Sequence, residues 1–151
     1  MQDEIRQAGL SLRRRGEFFA AYQPYAPDAR YDADLRLLDR APQKLRPGQE
    51  FPLLVEVTNR CSYPWQPVGL YPTQAGFQMF DSRRMDKPAT ENYFDLPGVV
   101  FPQDRALVTM RIKAPANPGS YLVRLTMIQQ RVRWFNAADA ARMVQFPVSV
   151  E

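Results

Sequence analysis

The side chains best suited to chemistry in this chain are aromatic rings set beside amides and guanidinium groups. Gln129, Gln130, Arg131 and Arg133 run directly into Trp134, and Arg124 and Thr126 lie a few residues earlier on the same stretch. Trp65 and Tyr71 add two rings in the middle of the chain. A flat aromatic face next to Arg, Gln or Asp suits a ligand with apolar C–H faces and hydroxyl edges, which is the chemistry of a sugar. The candidate ligand-binding residues are therefore Trp65, Tyr71, Arg124, Gln129, Gln130, Arg131, Arg133 and Trp134. The competing reading assigns Trp65 and Trp134 to the core between two sheets and leaves the glutamines and arginines on a solvated face.

Catalytic readings run out quickly. Histidine is absent, which removes the commonest general base and the Ser/His and Cys/His arrangements. Cys61 stands alone, so neither a disulfide framework nor a paired-cysteine metal site is expected. Asp32 with Asp34, or Asp81 with Asp86, can be written as carboxylate pairs, but aspartates flanking strands and turns are ordinary turn chemistry. No phosphate-cradling glycine loop and no nucleophile elbow is present. The expectation is a non-enzymatic chain without metal or cofactor. Single-stranded nucleic acid also favours aromatics interleaved with arginine. Here the basic residues are scattered among acidic ones and the net charge is only +4, so no nucleic-acid partner is expected. No apolar run reaches the length of a membrane span, and no signal-peptide core follows Met1.

The elements that must position these residues are strands. Gly119 to Met127 follows the turn Pro115-Ala116-Asn117-Pro118-Gly119 and alternates cleanly. Tyr121, Val123, Leu125 and Met127 fall on one face, with Leu122, Arg124, Thr126 and Ile128 on the other. This predicts a central strand with its first row in the core and its second only partly covered. Val132 to Phe135 should turn back or bulge beside its neighbour. Phe51, Leu53, Val55 and Val57 have the same period of two, as do Val108, Met110 and Ile112, and Val144 to Val150. Shorter strands are expected at Asp32 to Asp39, Val68 to Tyr71 and Ala75 to Phe80, with residues 86 to 105 irregular and an Ala-rich loop from Asn136 to Arg142. Seven to nine strands without helical crossovers predict an all-β fold, an antiparallel immunoglobulin-like or jelly-roll-like β-sandwich over residues 31–151. Residues 1–30 form a separate unit. Ile5, Ala8, Leu12 and Phe19 recur at helical spacing, and Tyr22 to Asp28 is a proline-broken linker, which predicts an N-terminal helical extension.

Several motifs carry a family resemblance. Val57-Thr58-Asn59-Arg60-Cys61-Ser62-Tyr63-Pro64-Trp65 resembles a strand-end signature V-x-N-x-[GS]-x-x-x-W. Leu96-Pro97 with Phe101-Pro102 resembles an L-P … P-G loop, Ala114 to Tyr121 resembles A-P-x-x-P-G-x-Y, and Met127 to Phe135 resembles L-V-Q-E-G-V-x-W-F. These signatures are similar to immunoglobulin-like carbohydrate-binding modules attached to glycosyltransferases that build bacterial surface polysaccharides. They are also similar to the C-terminal domain of ATPase subunits of ABC transporters that export O-antigen. The resemblance implies a polysaccharide ligand, a homodimer, association with a transporter or glycosyltransferase, and a cytoplasmic location at the inner face of the inner membrane. The protein-interaction modules that share the fold signature keep a docking role open as the alternative. Gln130 stands where the pattern has Glu and Arg131 where it has Gly, and an arginine there predicts that no tight positive-φ turn forms.

Overall fold

The computed structural model describes residues 31–135 and 143–151. The helix and linker expected over residues 1–30 and the loop at 136–142 lie outside the described residues. Strand β7 (Gly119–Gln129) is central. Antiparallel to it run β4 (Thr73–Asp81) on one side and β9 (Val144–Val150) on the other. The sheet is extended by β5 (Thr90–Asp95) outside β4 and by β2 (Lys44–Leu45) outside β9. β8 (Arg133–Trp134) turns back onto the end of β7. The second sheet has the order β1 (Ala33–Leu37), β3 (Glu50–Asn59), β6 (Arg105–Lys113), all antiparallel.

The alternating rows account for the core. Leu53, Val55 and Val57 of β3 and Met110 and Ile112 of β6 are buried with Phe77, Met79, Val123, Leu125, Met127 and Phe146 of the other sheet in one continuous cluster. Each such side chain contributes about 1.5–3 kcal/mol of transfer free energy, which is what holds the two sheets face to face. Polar groups fix the ends. Asn59 has no exposed surface, donates through Nδ2 to the Tyr63 and Val100 carbonyls, and accepts the Cys61 N–H at Oδ1. At the other end the Tyr121 hydroxyl donates to the Asn117 carbonyl at 2.6 Å. A tyrosine that ties a strand back to the corner four residues before it is a device of immunoglobulin-type sandwiches.

Four expectations need correction. The arrangement is not wholly antiparallel, because Lys44 and Leu45 run parallel to Ser149 and Val150. That stretch leaves β1 in one sheet, joins the other at its edge, and turns Leu45 into the core at 1% exposure. Residues 86–105 are not all irregular, since they contain β5. Its sequence Thr-Glu-Asn-Tyr-Phe-Asp is mostly exposed because it is an edge strand, so it lacks the apolar alternation that reveals the others. Val68 to Tyr71 is a bend rather than a strand, bracketed by Pro67 and Pro72 and closed by the Thr73 N–H donating to the Gln66 carbonyl at 2.8 Å. Finally, a tight positive-φ turn does form at Arg131, whose φ is 67°. The pairs Ile128–Trp134 and Gln129–Arg133 leave three residues to reverse the chain, and the Val132 N–H closes on the Gln129 carbonyl at 3.0 Å. Arg131 then occupies the position that type II turns give to glycine. It carries a cost of about 1–2 kcal/mol for the left-handed conformation, which the strand pairing outweighs.

Candidate functional site

The outer face of the six-stranded sheet brings together an aromatic ring and a row of polar side chains. Trp134 sits on β8 opposite Ile128 of β7, and Ile128 is in turn opposite Gln74 of β4. The indole crosses β7 and ends over Gly76, where a built Cβ would lie 2.8 Å from Cζ3 and 2.9 Å from Cη2 of the ring. The same Cβ would come within 2.9 Å of the Asn92 carbonyl on β5. Only glycine allows the ring to lie this close to the strand. The crossing also explains why Thr126 and Ile128, on the row expected to be partly covered, are 1% and 8% exposed.

Beside the ring a chain of hydrogen bonds runs from the turn after β7 across β4 to β5. Gln130 Nε2 donates to Gln74 Oε1 at 2.7 Å, and Gln74 Nε2 donates to Asp95 Oδ1 at 2.7 Å. The free amide and carboxylate valences of this row are the kind of donors and acceptors that fix hydroxyl groups. Tyr93 of β5, opposite Gly76, is 42% exposed and adds a second ring at the edge. Further along the same face Gln78, Arg124 and Gln145 stand side by side on β4, β7 and β9.

The eight residues singled out from the sequence divide. Trp134, Gln130 and Arg124 lie on this face. Trp65 does not: it is fully buried, meets Phe135 edge-on with ring centres 6.0 Å apart, and donates its indole N–H to Cys61 Sγ at 3.5 Å. A ring enclosed in this way has no face for a ligand, so Trp65 is a core residue. Gln129 is also turned inward, at 1% exposure, and its amide reaches the Tyr71 carbonyl at 3.4 Å. Arg133 neighbours Trp134 in sequence and therefore points to the opposite side of the strand, where its guanidinium sits 4.6 Å over the Tyr31 ring. Arg131 is exposed on the turn and Tyr71 is half-buried in the loop before β4. The sequence reading missed Gln74, Gly76, Tyr93 and Asp95. A glycine in the interior of a strand, flanked two residues either way by glutamines, was the available signal.

A polar hollow of about 420 Å³ lies on the outer face of the three-stranded sheet, lined by Asp34, Arg36, Glu56, Thr58, Arg60, Gln103 and Arg105. Its charges satisfy one another: Arg60 pairs with Asp34 at 2.7 Å and Arg36 with Glu56 at 3.2 Å. Asp34 is thus a structural ion-pair partner. Asp81, from the second of the aspartate pairs considered for catalysis, caps its own turn. The Arg83 N–H bonded to its carboxylate, followed by the Arg83 charge, holds it below the usual carboxylate range. Tyr63 is shifted the other way, with burial first and Cys61 second pushing its phenol above the ordinary value. Among the described residues no group of acids and Cys61 is arranged to hold a metal ion, and no helix is long and apolar enough to cross a membrane.

The fold defined by these elements is a two-sheet β-sandwich. No family model matches the chain, and none of the curated proteins matches it. Among solved structures it is similar to the CARDB domain of a Pyrococcus furiosus protein, at 15% identity and a TM-score of 0.45 over 86% of this chain and 98% of that one. It is similar to the C-terminal domain of wzt at 12% identity and a TM-score of 0.48, over 88% of this chain and 84% of that one. A β-glucosidase from Listeria innocua is similar at 13% identity and a TM-score of 0.45, over 82% of this chain and 16% of that one. These are likenesses of β-rich fold.

Proposed function

We propose that this immunoglobulin-like sandwich is a non-catalytic carbohydrate-binding module. Its ligand is a bacterial surface polysaccharide of O-antigen type, held for export or assembly at the cytoplasmic face of the inner membrane. One observation carries the reading: the Trp134 indole brings its Cζ3–Cη2 edge so close to β4 that only glycine fits there, next to the Gln130–Gln74–Asp95 chain of amide and carboxylate groups. A sugar ring stacks its C–H face on the indole while these groups fix its hydroxyls. The motifs shared with polysaccharide-associated modules support the same class of ligand. A single ring and a few exchangeable hydrogen bonds make each contact weak, so a homodimer attached to a transporter or glycosyltransferase gains from presenting two sites to one chain.

The test is an NMR titration of the protein with fragments of bacterial polysaccharides. Saturable shifts at the Trp134 indole N–H and at the Gln74 and Gln130 side-chain amides, absent in Trp134→Ala, are expected. Millimolar fragments that leave those signals unmoved would exclude this face as a sugar site. A docking role is the second reading, and Val68, Leu70, Val99 and Phe101 favour it. They lie in the two loops joined by the Trp65–Val100 bridge and are 73%, 65%, 44% and 57% exposed.

A further inference from the structure

Arg124 lies in the middle of the outer face, on the central strand, yet among the described residues it has no carboxylate partner. Its neighbours across the strands are neutral amides, Gln78 on β4 and Gln145 on β9. Its guanidinium is 5.0 Å over the Phe80 ring, which holds the side chain against the sheet without neutralising it. The Nε atom is buried and without a hydrogen-bond partner. Solvent does not reach that atom, so a ligand meets the guanidinium at its terminal N–H groups, whose planar geometry matches an oxyanion better than any neutral acceptor. The acids on this face are placed elsewhere. Asp95 is held by Gln74, and Glu91 lies two strands away from Arg124 with Gln78 between them, a backbone separation of about 10 Å.

The position of Arg124 relative to the ring adds the second half of the argument. Gly76, beneath the edge of Trp134, is opposite Thr126, and Arg124 is the next residue along β7 on that face. The spacing is about 7 Å, the width of one sugar residue with its substituent. We infer that the glycan taken by this face carries an anionic substituent, which Arg124 binds while Trp134 stacks on the ring that bears it. The chemistry is that of an oxyanion on a sugar, either the carboxylate of a uronic acid or a phosphate ester. This inference rests on the carbohydrate reading above and narrows it to acidic polysaccharides.

The experiment compares oligogalacturonides with the same oligomers after reduction of their carboxyl groups. A parallel arm compares phosphomannan fragments with their dephosphorylated forms. Titration of the intact protein should show the charged oligomers binding roughly 10- to 100-fold more tightly than their neutral counterparts, with affinity falling as salt is raised. Whichever arm shows the preference identifies the source of the oxyanion. Arg124→Gln should abolish both the preference for charged over neutral oligomers and its salt dependence. The salt dependence of the unaltered protein gives the same information without a variant. Equal, Trp134-dependent binding of charged and neutral oligomers would overturn the anionic inference and leave the carbohydrate reading standing. If no oligomer of either charge moves the Trp134 signal, both are overturned.

Discussion

Gly76→Ala is the substitution that best separates this account from a generic solvated sheet face. The added methyl carbon would lie 2.8 and 2.9 Å from two indole carbons and 2.9 Å from the Asn92 carbonyl. The carbonyl belongs to the paired strand β5 and cannot retreat without breaking the ladder, so the indole must lift. Lifting it by the better part of an ångström re-exposes Thr126, Ile128 and the ring's own inner face. If about 60–80 Å² of apolar surface returns to water, the loss is about 1.5–2 kcal/mol, and residual overpacking against Asn92 adds about 1 kcal/mol. The expected destabilisation is about 2–3 kcal/mol, seen as a lower urea midpoint with an unchanged slope. The Trp134 indole N–H resonance should shift while that of the enclosed Trp65 stays in place, and affinity for any sugar ligand should fall with it. Gly98→Ala is the control, since nothing lies within 4 Å of a Cβ there. Wild-type stability of Gly76→Ala with an unmoved Trp134 resonance would refute the stacking of the indole on β4.

Two further outcomes follow from the strained turn and the buried phenol. Arg131→Gly should stabilise the protein by about 0.5–1 kcal/mol in urea denaturation, because it removes the left-handed cost while returning some entropy to the unfolded chain. No gain would mean that the φ of 67° is not a source of strain. Tyr63 has its folded-state pKa raised, chiefly by burial, so above the unfolded value near 10 the unfolded chain loses a proton that the folded one keeps. Its effect on stability is therefore absent below about pH 9 and grows as a loss with rising pH, with a slope of at most about 1.4 kcal/mol per pH unit. Tyr63→Phe should flatten the decline between about pH 9.5 and 11 relative to the unaltered protein, and parallel declines would refute the assignment.

What the sequence revealed depended on whether a residue's neighbours lay along the chain or across the sheet. The rows of β3, β6, β7 and β9 were legible because one face of each is buried, and burial imposes a period of two on the residues themselves. The polar edge strand β5 carries no such imprint. The candidate site suffered from the same limit. Arg124, Gln130 and Trp134 were found because they are near one another in sequence, and Gln129 and Arg133 were included for the same reason although strand alternation turns them to the other side. Gln74 and Asp95 are 56 and 35 residues away from Gln130 and meet it only through the β7–β4–β5 register. Trp65 illustrates a different ambiguity. A tryptophan is equally at home between sheets and on a binding face, and only the enclosure by Cys61 and Phe135 decides.

The arrangement of Trp134 also bears on how a weak site achieves selectivity. An exposed tryptophan free to sample several rotamers loses about 0.5–1.5 kcal/mol when a ligand immobilises it. Here the ring is fixed before any ligand arrives, by the Ile128 pairing at its base and by contact with Gly76 at its far edge. The amide row beside it is likewise ordered, because Gln74 is held from both sides by Gln130 and Asp95. On the proposed carbohydrate reading little ordering cost is left for binding, so even a few contacts register as affinity. The same rigidity fixes the distance between ring and Arg124. A ligand whose charge sits at a different spacing from its apolar face therefore gains one contact or the other, and not both. Selectivity on such a face comes from the register of the sheet rather than from the number of groups it presents.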